Sequence, residues 1–224
     1  MARRLFKIEW PPYRLLMLIA SAFGAFLLLE GLLFQIYKDM PLKLALWEIL
    51  FWTLLLIWSI RIEVRLPLSA SMSQLFLFAL ALVVLTPPWF APLLVFIAQW
   101  RGKVWYKELF NRSQDGLATA LAALAWHFFQ QNPVYLGSWN VSAGVGIGAA
   151  SLAFFAVNTT LVTTAIQLDK LDKKVSWREV WRKNYGWLAP SYLLLSPLAL
   201  LLARAYETPL LGNWGGWTVL LFLI

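Results

Sequence analysis

Apolar residues in this chain come in long blocks with no alternation of a polar face, and short segments between the blocks hold almost all of the charges. Residues 15–34 match the length a helix needs to cross a hydrocarbon core about 30 Å thick, at about 1.5 Å per residue. Further blocks follow at 42–60, 66–85, 89–100, 113–129, 141–167 and 187–203, and an incomplete one lies at 217–224. The pattern predicts an all-α, polytopic transmembrane bundle forming a single integral membrane domain over 1–224, with about seven full spans plus a truncated eighth.

The breaks have chemical causes. Pro41 follows Lys38 and Asp39, Arg61, Glu63 and Arg65 close the second block, and Thr86-Pro87-Pro88 stops the third because prolines lack the backbone donor a helix needs. The 89–100 block is below spanning length, so it reads as a thin, tilted span in preference to a re-entrant segment. Residues 101–112 read as a charged, aromatic loop, and Asn132, Pro133, Gly137 and Asn140 mark another. Pro190 and Pro197 in the 187–203 block are tolerable inside a membrane bundle. A two-turn helix ending at Ile224 would leave carbonyls and a carboxylate in hydrocarbon, so the chain is expected to continue into a longer protein.

Composition agrees with the blocks. The chain has 61% hydrophobic and only 13% charged residues, with a mean hydropathy of +0.67, against roughly half apolar and about a quarter charged in soluble domains. The net charge of +8 does not indicate a nucleic-acid partner, because Lys and Arg sit in the short connecting segments. If each block crosses once, one side receives Arg3, Arg4, Lys7, Arg14, Arg61, Arg65, Arg101, Lys103, Lys107, Arg112, Lys170, Lys173, Lys174, Arg178, Arg182 and Lys183. The other side receives Lys38, Lys43 and Arg204. The positive-inside rule then places the N-terminus in the cytoplasm, and the lipid bilayer is the first partner. The basic 1–14 segment precedes a block too long for a signal peptide, so it reads as the flank of a retained span.

Catalytic chemistry is not written here. His-Glu-x-x-His, Gly-x-Ser-x-Gly and P-loop patterns are absent, and one His with no Cys argues against a zinc site, so no catalytic residue, metal or cofactor is expected. Gly144, Gly146 and Gly148 suit close helix packing. No internal repeat supports a transporter built from inverted halves.

Polar groups inside membrane spans are costly and become the candidates. The 141–167 block carries Asn158, Thr159, Thr160, Thr163 and Thr164. A Thr can satisfy itself on the carbonyl one turn back, whereas Asn158 needs a partner on another helix. Asn111, Gln114 and Asp115 are the expected partners, giving a buried polar cluster of Asn111, Gln114, Asp115, Asn158, Thr159 and Thr163, either as structural glue or as a ligand contact. Glu30, Glu48 and His127, with Trp47 and Trp52, form a candidate outward pocket. The alternatives are a snorkelling Glu30 and a simply hydrogen-bonded His127. Finally, Ser176-x-x-Glu179 is a capping box, and Trp177, Val180, Trp181 and Tyr185 recur on one helical face. This predicts a short interfacial helix whose Arg178, Arg182 and Lys183 face anionic headgroups, touch a cytoplasmic partner, or only fix topology.

Phe110-Asn111, Phe155-Ala156-Val157-Asn158-Thr159, Trp181-x-x-Asn184, Pro190-Ser191-Tyr192-Leu193, Pro197-Leu198 and Tyr206-Glu207 resemble a bacterial family. It is the multi-pass, membrane-associated sensor domain (MASE-type) that precedes GGDEF diguanylate cyclase or HD-GYP phosphodiesterase domains. The resemblance runs over about residues 66–207. It implies a non-catalytic sensory or anchoring domain in the bacterial cytoplasmic (inner) membrane, with a cytoplasmic cyclic-di-GMP effector in cis. No GGDEF or HD-GYP sequence lies in this chain. A homodimer and an undefined small-molecule ligand are both compatible with it. The competing reading is a small-molecule-binding transporter subunit similar to S components, and a purely structural membrane subunit is the third.

Overall fold

The computed structural model of the protein describes residues 13–65, 71–100, 104–169 and 176–207. Among them are eight helices: α1 (Tyr13–Tyr37), α2 (Leu46–Arg61), α3 (Leu75–Leu85), α4 (Phe90–Ala98), α5 (Trp105–Gln131), α6 (Ser142–Asp169), α7 (Trp177–Asn184) and α8 (Ala189–Glu207). Two antiparallel hairpins join them, β1 (Glu63–Arg65) with β2 (Ser71–Ser73) and β3 (Tyr135–Leu136) with β4 (Trp139–Asn140). Gly137 takes φ +62° between β3 and β4, the left-handed conformation that a two-residue hairpin loop demands and glycine adopts without penalty. By length and composition, α1, α6 and α8 are the described helices able to cross a membrane.

Contacts fix the helix directions. Leu15 and Ile19 pack with Phe110, Phe26 lies against Gly116, and Tyr37 meets His127, so α1 and α5 run parallel. Trp126 sits at Gly146 and Asp115 at Asn158, so α6 runs against α5. The Phe26–Phe96 and Phe34–Trp89 ring pairs set α4 against α1. Tyr206 at the end of α8 reaches Glu48 and Trp52 near the start of α2. Arg14, Arg61, Arg112 and the basic face of α7 therefore lie toward one end of the bundle, and Lys38, Lys43 and Arg204 toward the other.

The centre of the bundle is α3. Phe76, Phe78, Leu80, Leu82 and Val83 are all buried, as are Ala79 and Ala81, which is what a helix apolar on every side requires. Its 11 residues rise only about 16 Å, and among the described residues of the block expected over 66–85 the helix runs from Leu75. Ser71–Ser73 pairs as β2 instead, in a stretch where Pro67 and serines at 69, 71 and 73 disfavour helix. After the turn at Thr86, whose hydroxyl donates to the Leu82 carbonyl at 2.7 Å, α4 returns for 9 residues. Helix α3 is enclosed by its neighbours, whereas α4 leaves Leu93 and Ile97 exposed on one side; helices too short to span are tolerated within a bundle where protein surrounds them.

Two further expectations change. Most of 101–112 is helix, not loop: α5 begins at Trp105, because Tyr106, Leu109 and Phe110 share a face that packs on Leu15, Leu18 and Ile19, and Glu108 in the first turn suits the helix dipole. Ser176 is the N-cap of α7 but its side chain accepts no backbone N–H; Glu179 turns to Lys183 at 2.7 Å, so the capping box does not form. The incomplete block at 217–224, the N-terminal Arg3, Arg4 and Lys7, the loop residues Arg101 and Lys103, and Lys170, Lys173 and Lys174 lie outside the described residues.

Within α8, Pro197 leaves the Leu193 carbonyl without its usual backbone donor. The Ser196 hydroxyl supplies the replacement at 2.8 Å, and Ser151 of α6 donates to the Tyr192 carbonyl at 2.9 Å.

Close approach is set by small residues. A Cβ at Gly116 would stand 2.6 Å from the Phe26 ring, inside van der Waals contact. Gly116→Ala is therefore expected to cost about 1–3 kcal/mol, read as a lowered unfolding midpoint in detergent. Combining it with Phe26→Leu should recover part of the loss, and an unchanged midpoint for the single variant would show that α1 does not seat on α5 this closely.

Candidate functional site

The polar cluster is built where α4, α5 and α6 converge. Asp115, one turn after Asn111 on α5, is buried, as are Gln114 and Gln99, which follows α4. The Gln99 carboxamide donates to Asp115 Oδ2. Asn158 of α6 donates Nδ2–H to Asp115 Oδ1 at 2.9 Å, and Gln114 donates to the same oxygen at 3.3 Å. A carboxylate taken out of water is very costly unless hydrogen bonds replace its hydration, and carboxamide donors from three segments supply them here. Arg112 donates Nε–H to the Gln99 carbonyl at 2.8 Å. Its guanidinium lies 4.3 Å from the Trp100 ring centroid and 5.7 Å from that of Phe96, so the segment after α4 is clamped on both sides of Gln99.

The opposite side of α6 serves α7. Thr159 donates to the Phe155 carbonyl at 2.8 Å and accepts the Trp181 indole N–H at 3.1 Å. Thr164 donates to the Thr160 carbonyl at 2.8 Å and accepts the Trp177 indole N–H at 3.2 Å. The two indoles stack 6.4 Å apart with planes 9° from parallel. Val180 and Asn184 complete the buried side of α7, leaving Arg178, Arg182 and Lys183 exposed. The Lys183 ammonium holds the Glu179 carboxyl below the usual carboxylate range.

The other candidates are placed differently. Asn111 is half-buried and makes no side-chain hydrogen bond among the described residues. Thr163 is buried with its hydroxyl unpartnered. Glu48 caps the start of α2 by accepting the Ala45 N–H at 2.6 Å, and its other oxygen accepts the Tyr206 hydroxyl at 2.5 Å. His127 is buried with its Nε2 unpartnered, and one Glu30 oxygen is likewise buried without a partner. Among the described residues no hydrogen bond, ion pair or ring contact joins Glu30, Glu48 and His127 to one another. Trp52 packs edge-on to Tyr206, and Trp47 is exposed. No group of three or more His, Cys, Asp or Glu among the described residues could hold a metal ion. Sequence reasoning missed Gln99 and the indole N–H bonds of Trp177 and Trp181; a lone Gln at the polar edge of an apolar block was the one available signal for the first.

Because Asp115 and Asn158 touch directly, their substitutions are expected to couple. Asn158→Leu and Asp115→Leu should each destabilise the domain, and the double variant should lose less than the sum, by about 0.5–2 kcal/mol. Denaturation of the four proteins in detergent measures this, and strict additivity would remove Asn158 from the cluster.

Neither curated proteins nor solved structures give a match to this chain. A family model does: MASE9 matches residues 8–224, nearly the whole sequence and all eight helices. The buried polar groups, the helical bundle and that match agree, and the chain belongs to the MASE9 family of membrane-associated sensor domains.

Proposed function

We propose that this chain is the sensory and anchoring part of a bacterial signalling protein of the inner membrane, regulating a cytoplasmic cyclic-di-GMP enzyme domain, GGDEF or HD-GYP in type, carried in cis. Family membership supports the sensor role, and the chain itself performs no catalysis. In this reading the N-terminus is cytoplasmic and the bundle crosses the bilayer about seven times, which the segregation of basic residues to one end supports.

One observation carries the mechanism. Asn158 and Thr159 are neighbours on α6, one bonded to the buried Asp115 carboxylate and the other to Trp181 of α7. A signal that favours one packing of α4, α5 and α6 turns or shifts α6 at this point, and α7 must follow because its indoles are tied to Thr159 and Thr164. Such a switch requires a signal that interacts differently with two states. Helix α7, on the basic end of the bundle, passes the difference to the effector.

Thr159→Val keeps the side-chain shape and deletes the acceptor for Trp181 together with the hydroxyl's own bond to the Phe155 carbonyl, and Trp181→Phe removes the indole N–H along with part of the ring. A bond worth about 0.5–1.5 kcal/mol corresponds to roughly a two- to tenfold change in the ratio of states. Cyclic-di-GMP turnover by the full-length protein in membrane vesicles is expected to change by that order, with unchanged membrane yield. Turnover equal to wild type in both variants would remove α7 from the route.

A further inference from the structure

Helix α7 lies between α6 and α8, both long and apolar enough to cross a bilayer, so it rests at a membrane surface whichever way the bundle is inserted. Its inner side is immobilised, with Val180 and Asn184 buried and both indoles bonded to α6. The outer side carries three cations of two kinds. Lys183 is neutralised by Glu179 at 2.7 Å. Arg178 and Arg182 are exposed and make no close ion pair or hydrogen bond among the described residues, Arg182 only lying within the field of Glu179. They stand four positions apart, so their Cβ atoms are about 5–6 Å from each other on one face. Trp187, just past α7, is 57% exposed.

We propose that α7 is a binding site for one anionic phospholipid headgroup, with Arg178 and Arg182 as the phosphate ligands and Trp187 against the glycerol and upper acyl region. Two arginines one turn apart can each offer a two-pronged N–H fork to one phosphate, a match a lysine pair does not reproduce. Because the helix is already held on α6, little ordering is lost on binding. An acidic protein segment would satisfy the arginines but leave the exposed Trp187, five residues beyond Arg182 at the start of the α8 segment, in water, whereas a lipid offers both an anionic head and an apolar tail.

The test uses the full chain in nanodiscs of phosphatidylcholine with and without phosphatidylglycerol, read as the unfolding midpoint. Phosphatidylglycerol is expected to raise the midpoint of wild type and of Lys183→Gln. Arg178→Gln/Arg182→Gln should lose most of that rise while matching wild type in pure phosphatidylcholine, and Arg178→Lys/Arg182→Lys should restore only part. A rise retained by the Arg-to-Gln double variant, a loss of equal size in Lys183→Gln, or no rise in wild type overturns the site. Inorganic phosphate reproducing the rise in pure phosphatidylcholine would assign the arginines to a free anion and overturn the lipid as occupant. A midpoint raised by an added acidic peptide but not by phosphatidylglycerol would give the site to a protein partner and overturn it likewise.

Discussion

A buried carboxylate is the constraint on which the packing of this domain turns. Asp115 cannot be hydrated where it sits, so its oxygens must be met by donors from elsewhere in the chain. Those donors are Gln99 after α4, Gln114 on α5 itself and Asn158 on α6. Satisfying all of them at once sets the register of three segments, since sliding any helix by one residue turns its amide away. Apolar contacts in a bilayer cannot do this, because lipid tails are as good a neighbour for a leucine as another leucine.

What apolar packing does contribute is proximity. The interfaces around α3 and α5 are made of Ala79, Ala81, Ala118, Ala122, Ala123 and Ala150, all fully enclosed, with Gly116 and Gly146 where rings press against backbone. Large side chains fill the rest: Phe76, Phe154 and Phe155 surround Tyr192, so α3, α6 and α8 share one aromatic centre. The carboxamide cluster then decides which of the sterically possible arrangements is kept.

Much of this was legible in the sequence because length and apolarity are one-dimensional properties. The blocks at 15–34, 141–167 and 187–203 correspond to α1, α6 and α8, and the need of Asn158 for a partner pointed to the group Asn111, Gln114 and Asp115, of which Asp115 accepts its hydrogen bond. Other features depend on three-dimensional neighbours. Helix α5 begins eight residues before the expected start because Tyr106, Leu109 and Phe110 find α1 there, and polar residues between them hid that face. Helix α3 begins only at Leu75 because Ser71–Ser73 pairs as β2, in a serine-rich stretch where turn chemistry outweighs apolarity. Glu179 had two possible partners within reach, the N-cap backbone and Lys183, and spacing could not choose between them. The outward pocket rested on residues sharing a depth, and a shared depth does not bring side chains together: Glu48 reaches α8 instead.

The unequal lengths of α1 and α2 have a consequence for the bilayer itself. Helix α1 has 25 residues and α2 has 16, about 37 Å against about 24 Å of rise, and both present large apolar side chains outward, Leu28 and Leu32 on one, Leu50 and Leu54 on the other. Of the two, α1 alone has the length and composition to cross a bilayer, so a lipid layer thick enough to cover it would overreach the outward leucines of α2 unless it thinned there or α1 leaned. Bilayer thickness would then act on the fold as a mechanical load that differs from one side of the domain to the other.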